Sequence, residues 1–152
     1  MATKGSSTTE ERLTLRSRIS ELSRAYTWVE RLASQHAIPD ATQFAMNLCL
    51  EEVLSNIMRH GYRGRSDRTI KVRFTNPGKG YFVFVVEDEA PHFNPLNVPE
   101  PPPITSVKDL PVGGRGVSLL RHYSQTLEYQ ATPAGNRLTF GFHIDGAAAA
   151  KD

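Results

Sequence analysis

Glu52, Asn56 and His60 stand four residues apart within the stretch from Leu50 to Gly61. On a helix that spacing stacks a carboxylate, an amide and an imidazole one turn above another. Around the same helical wheel Glu52 and Asn56 fall among Ala45, Leu48, Cys49 and Val53, in the sector that should face a core. Glu51 falls elsewhere and joins Asn47 and Ser55 in what reads as a solvated row. A carboxylate aimed into an apolar sector is costly unless it is paired, hydrogen-bonded or near a metal, so Glu52 is a candidate for chemistry. Two readings are open here: a functional track, or a Glu52-Asn56-His60 network that caps a buried helix.

Two more features bear chemistry. Asp88 ends an apolar run and opens Asp88-Glu89-Ala90-Pro91-His92-Phe93-Asn94-Pro95; a carboxylate at a strand end can accept a hydrogen bond from a ligand amine. Gly113-Gly114-Arg115-Gly116 precedes Val117, Leu119 and Leu120, a glycine-rich entry into a short helix. Such a helix start brings backbone amides close to an anion, although a simple glycine turn has the same composition. Between them, seven of the ten prolines fall in residues 91–111, too dense for a regular element, and a long irregular segment in a compact domain reads as a functional lid. Together these supply a base site, a phosphate site and a magnesium site.

The elements that must position them follow from periodicity. Leu13 and Leu15 alternate with polar residues over Arg12 to Ser17, a short half-buried strand. Ile19, Leu22, Tyr26, Val29, Leu32 and Ala33 recur at three and four, predicting an amphipathic helix over Arg18 to His36. Asp40 is a plausible N-cap for the next helix, with Gln43 completing a capping box and Gly61 as the stop. Thr69 to Thr75 and Tyr81 to Asp88 read as a hairpin about Asn76-Pro77-Gly78-Lys79-Gly80. The second of these strands is apolar on both faces, so both should be at least partly covered. Strands near Thr126 to Ala131 and Arg137 to Ile144, turning at Pro133-Ala134-Gly135-Asn136, close the fold.

Composition narrows the class. The 152 residues fit one domain of ordinary globular make-up, 39% hydrophobic and 22% charged. The single cysteine, Cys49, rules out an intrachain disulfide and a CxxC metal site and suits a reducing compartment, so the expected location is cytoplasmic. The longest apolar run, Tyr81 to Val86, is too short to span a bilayer, and no membrane association is expected. Arg59, Arg63, Arg65, Arg68, Lys71 and Arg73 are opposed only by Asp67. The cluster reads as a solvated loop leading into a strand edge, with phosphate contact as the alternative, and direct nucleic-acid binding is not expected.

The ordered motifs ExxxNxxxH, DxxxxFNP and GGxG resemble those of the GHKL ATPase superfamily, which includes DNA gyrase, MutL and sensor histidine kinases. Within it the chain is similar, over residues 11–144, to bacterial anti-sigma-factor serine kinases of partner-switching pathways. The resemblance implies a Bergerat-type two-layer α/β sandwich, with one mixed, mostly antiparallel sheet and helices on one face. It implies ATP and magnesium as ligands, with Glu52 as general base, Asn56 as magnesium ligand and Asp88 as adenine reader. Ala90 and Phe93 would line the nucleotide site; Gly113, Gly114, Arg115, Gly116 and Val117 would form the phosphate-binding end of a lid at about 91–115; Arg59 and His60 would support Asn56. Residues 1–10 and 145–152 would be tails. Two departures stand out: Ala90 occupies a position usually held by glycine, where its methyl could crowd a purine, and Asn94 replaces a common aspartate in a familiar Phe-Asn-Pro variant. The implied substrate is a serine on a STAS-type anti-anti-sigma protein, with a sigma factor competing for the surface and a homodimer covering the open sheet face. A nucleotide-binding adaptor without kinase activity and an ATP hydrolase are the alternatives.

Overall fold

The computed structural model describes residues 9–78, 80–97 and 116–144. The chain runs β1 (Thr9–Arg16), a short 3-10 turn (Ile19–Glu21), α1 (Leu22–Gln35), α2 (Asp40–Asn56) and a π turn (Ile57–Gly61). It continues through β2 (Thr69–Gly78), β3 (Tyr81–Asp88), a 3-10 turn (Pro95–Asn97), α3 (Gly116–Tyr123), β4 (Thr126–Ala131) and β5 (Asn136–His143). The five strands form one sheet in the order β1-β2-β3-β5-β4. Every pairing among the described residues is antiparallel, so the sheet lies at the antiparallel end of the expected architecture.

Strict alternation along β3 explains the layering. Phe82, Phe84, Val86 and Asp88 are buried, whereas Tyr81, Val83, Val85 and Glu87 are half-buried on the opposite face. Cross-strand pairing places Phe74, Phe84 and Phe140 in one row and Phe82 beside Phe142. Trp28 of α1 meets Phe74 and Phe84 edge-on at centroid distances of 6.4 and 6.0 Å, which fixes the helical layer on that face. The other face carries Tyr81 stacked on His143, and the Glu87–Arg137 pair.

α2 is the central helix, packed between α1 and α3. Its buried residues come in adjacent pairs, Ala45 and Met46, Cys49 and Leu50, Val53 and Leu54, because two sides of the helix are covered. The expected cap differs: Pro39 is the N-cap, Asp40 the first helical residue, and the Gln43 N–H donates to the Pro39 carbonyl at 2.9 Å. Proline's fixed φ suits that extended cap position, while Asp40 acts through its charge on the first turn.

Several local expectations are corrected. Ser55, expected in a solvated row, is buried, with its hydroxyl 3.4 Å from the Glu52 carbonyl. Tyr26, expected on the apolar face of α1, is 41% exposed, and Ala25 and Trp28 take the inner positions with Val29, Leu32 and Ala33. The 3-10 turn before Leu22 breaks the single helix expected from Arg18, so the buried stripe is set by α1 alone. The Tyr26 hydroxyl donates to the Glu51 carboxylate, which pushes the phenol up to about 12, so Glu51 has a partner across the helix pair. β1 begins at Thr9, inside the expected tail, where it pairs with Asn76. A 3-10 turn forms at Pro95–Asn97 despite the proline density, because the Asn94 side chain accepts the Leu96 N–H at 2.9 Å. Residues 98–115 of the expected lid and the C-terminal tail lie outside the described residues.

Candidate functional site

Asp88 closes β3 directly opposite Asn136, the first residue of β5. Its carboxylate is buried, and Oδ1 accepts two hydrogen bonds at 2.8 Å, from the Ala90 N–H and from Asn136 Nδ2. Among the described residues its second oxygen has no partner. Burial raises the Asp88 pKa, and the bonds from Asn136 and Ala90 oppose the rise. One carboxylate oxygen is thus fixed by the protein while the other can accept from a ligand amine.

Asn136 does more than face Asp88. Its Nδ2 also reaches the Ala90 and Pro91 carbonyls at 3.2 Å, while its Oδ1 accepts the Phe93 N–H at 3.0 Å and the Tyr129 hydroxyl at 2.5 Å. A single buried amide therefore fastens the chain from Asp88 to Phe93. The neighbouring Gly135 permits the approach: a Cβ there would stand 2.1 Å from the Asp88 carbonyl oxygen and 2.6 Å from Glu89 Cα. Read in sequence as turn residues, Gly135 and Asn136 gave no sign of this role, which depends on the β3–β5 register.

Glu52 and Asn56 lie half-buried on α2, Asn56 as its last residue. Burial raises the Glu52 pKa, the Glu51 charge adds to the rise, and Arg59 opposes it. Beneath it, the Cys49 thiol is pushed up to about 12 by burial and by the Glu52 charge, so it stays a neutral core group. His60 is exposed in the π turn, where Tyr62 N–H bonds to the Ile57 carbonyl at 2.7 Å, five residues back. Among the described residues no hydrogen bond joins the three side chains, so the buried-cap network does not form, and His60 does not bond to Asn56. Arg59 is exposed and reaches the site through its charge on Glu52.

Because the folded pKa of Glu52 is raised, this group contributes stability that is fully present below its unfolded value and lost as pH rises through its folded value. Glu52→Gln is therefore expected to gain stability relative to the wild type with rising pH, levelling once Glu52 is fully ionised. Paired thermal melts at stepped pH measure this; a difference flat in pH would contradict the raised value.

Ala90 is buried, and Phe93 is 61% exposed beside Asp88, held by its backbone. Gly116 opens α3 and Val117 is half-buried on it, whereas Gly113, Gly114 and Arg115 lie outside the described residues. Arg121 of α3 donates to the Leu96 carbonyl at 2.8 Å and ties α3 to the segment that follows Asp88. No group of three or more His, Cys, Asp or Glu that could hold a metal occurs among the described residues. The Asn56 side chain, half-buried beside Glu52 on α2, offers a neutral oxygen of the kind a hard cation takes. A hollow on α1, lined by Ser23, Arg24, Thr27, Trp28 and Arg31, shares no residue with this site. The basic cluster divides: Arg65 and Arg68 approach Asp67 at 3.3 and 3.9 Å, while Lys71 and Arg73 lie on β2. No helix among the described residues is long and apolar enough to cross a membrane.

The serine/threonine-protein kinase BtrW of Bordetella bronchiseptica is 27% identical over 116 residues, 76% of this chain and 81% of that protein. A crystal structure of the RsbU and RsbW domains of Rv1364c from Mycobacterium tuberculosis superposes with a TM-score of 0.64 at 14% identity. It covers 90% of this chain, which spans about a third (32%) of that one, and it shows the fold. Residues 15–142, from the end of β1 nearly to the end of β5, match the histidine kinase-like ATPase domain, and the chain belongs to that family.

Proposed function

We propose that the chain is an ATP-dependent serine/threonine-protein kinase and anti-sigma regulatory factor, acting on a serine of a STAS-type antagonist protein in a partner-switching pathway. The observation that carries this reading is Glu52: a half-buried carboxylate of raised pKa on α2, without a hydrogen-bond partner among the described residues. A base without a structural partner, in a family of ATPase domains and with a relative named as a serine/threonine kinase, is suited to accept a hydroxyl proton. Asp88 supplies the adenine acceptor through its second oxygen. Glu52 takes the serine proton as the serine oxygen forms its bond to the γ-phosphorus of ATP, and ADP departs with the electrons of the broken bond. Magnesium bound with the nucleotide offsets phosphate charge, and Asn56 is the side chain that would hold it. The remaining catalysis is positioning by α2 and β3. The sigma factor as competitor, the homodimer over Tyr81, Val83 and Val85, and the cytoplasmic location belong to the same proposal.

The test is transfer of labelled γ-phosphate to a STAS-type acceptor. Glu52→Gln is expected to lower the transfer rate by about 10²–10⁴-fold with ATP affinity little changed. Binding without transfer in the wild type would leave the adaptor reading, and phosphate release that needs no acceptor would leave the hydrolase reading. In calorimetry, Asn56→Ala is expected to abolish the part of ATP affinity that magnesium adds, at least about tenfold; an undiminished magnesium effect would remove Asn56 from the role.

A further inference from the structure

Gly61 and Ala90 meet where the helical layer reaches the end of β3. A methyl group on Gly61 would stand 3.1 Å from Ala90 Cβ and 3.8 Å from Ile57 Cγ2. Gly61 is outside the left-handed region, unlike Gly64, Gly78 and Gly80, so glycine supplies room there and not conformational freedom. Both sides of the contact are pinned. On the helix side, the Tyr62 hydroxyl donates to the Thr69 carbonyl at 2.8 Å and accepts the Glu89 N–H at 2.7 Å. On the strand side, the Ala90 N–H is held by Asp88 Oδ1 at 2.8 Å and the Ala90 carbonyl by Asn136 at 3.2 Å. Neither side can retreat without moving Asp88 or the end of α2.

We propose that Gly61 is a positioning residue which, through its contact with Ala90, sets the spacing between the Asp88 carboxylate and the helix that bears Glu52 and Asn56. This rests on the nucleotide-site reading above. The Ala90 methyl is accommodated because the residue it meets at the end of the helix has no side chain. Gly61→Ala restores the crowding, and the displacement reaches Asp88 through the Ala90 N–H. Helix propensity alone makes the opposite forecast, since alanine is the better residue inside a helical turn.

A double-mutant cycle separates the two. ATP and inosine triphosphate, which carries oxygen in place of the 6-amino group, are titrated into wild type, Gly61→Ala, Ala90→Gly and the double variant, each also melted thermally. Gly61→Ala is expected to weaken ATP binding by about tenfold and to reduce the preference for ATP over inosine triphosphate, as modest overpacking would. Ala90→Gly in that background is expected to restore both within about threefold. Wild-type affinity and preference in Gly61→Ala, or no recovery in the double variant, would overturn the inference. If the wild type binds no ATP, the proposed function fails, and the melting cycle then decides: recovery by Ala90→Gly of stability lost in Gly61→Ala supports the contact, and additive effects reject it.

Discussion

Asp88→Asn is expected to weaken ATP binding by about 100-fold or more while leaving the melting temperature unchanged or higher, a combination few substitutions at a buried site produce. The separation follows from the two carboxylate oxygens. Oδ1 accepts from the Ala90 N–H and from Asn136, and an amide oxygen in its place keeps both bonds. The second oxygen has no partner among the described residues, so placing an amide nitrogen there breaks no hydrogen bond within them. To adenine, however, that nitrogen presents a donor against the 6-amino donor. Burial disfavours the ionised carboxylate, as its raised pKa records, so the neutral amide removes a desolvation cost at neutral pH. Calorimetry with ATP and a thermal melt on the same sample suffice. Retained affinity would remove Asp88 from the nucleotide site, and a large fall in melting temperature would mean that its charge holds the fold together.

The second large effect is expected at Gly135. An added Cβ would lie 2.1 Å from the Asp88 carbonyl oxygen, 2.6 Å from Glu89 Cα and 2.9 Å from the Asp88 carbonyl carbon, all backbone atoms of the adjacent chain. No rotamer change relieves such a contact, so β3 and β5 must part where Asp88 faces Asn136. Gly135→Ala is expected to cost about 3 kcal/mol or more, a fall in melting temperature of roughly 10 °C for a chain of this size, with ATP affinity lost alongside. Gly64→Ala is the control: its φ of +80° strains an alanine, but nothing lies within 4 Å of the added atom. It is expected to cost about 1 kcal/mol and leave binding intact. Equal effects at the two glycines would show that backbone conformation, not close approach, governs both.

The contrast between these positions shows what the sequence could express. The α1 helix and the strands at Thr69, Tyr81 and Thr126 were legible because burial on a helix or a pleated strand leaves a period in the residues themselves. Glu52 and Asp88 were legible as candidates because a carboxylate within an apolar run is conspicuous. Asn136 was not, since its role arises from a hydrogen bond to a residue 48 positions away, and an asparagine after a glycine reads equally well as a turn. The π turn was hidden for a related reason. One residue's slip in hydrogen bonding leaves the spacing in the chain unchanged. The Tyr26–Glu51 bond and the burial of Ser55 likewise depend on how α1 and α2 pack and carry no local signature.

The strand order has a consequence for how the protein is made. β3 sits in the middle of the sheet, yet its partner β5 comes last in the chain among the described strands. While the ribosome is still adding the chain beyond Asp88, β1, β2 and β3 can already pair, but β3 is then an open edge strand that carries Phe82, Phe84 and Val86 on its core face. Such an edge is a template for pairing with other chains. Until the C-terminal hairpin arrives the nascent protein needs shelter from its neighbours, and a prematurely terminated product ending near Asn97 is expected to aggregate.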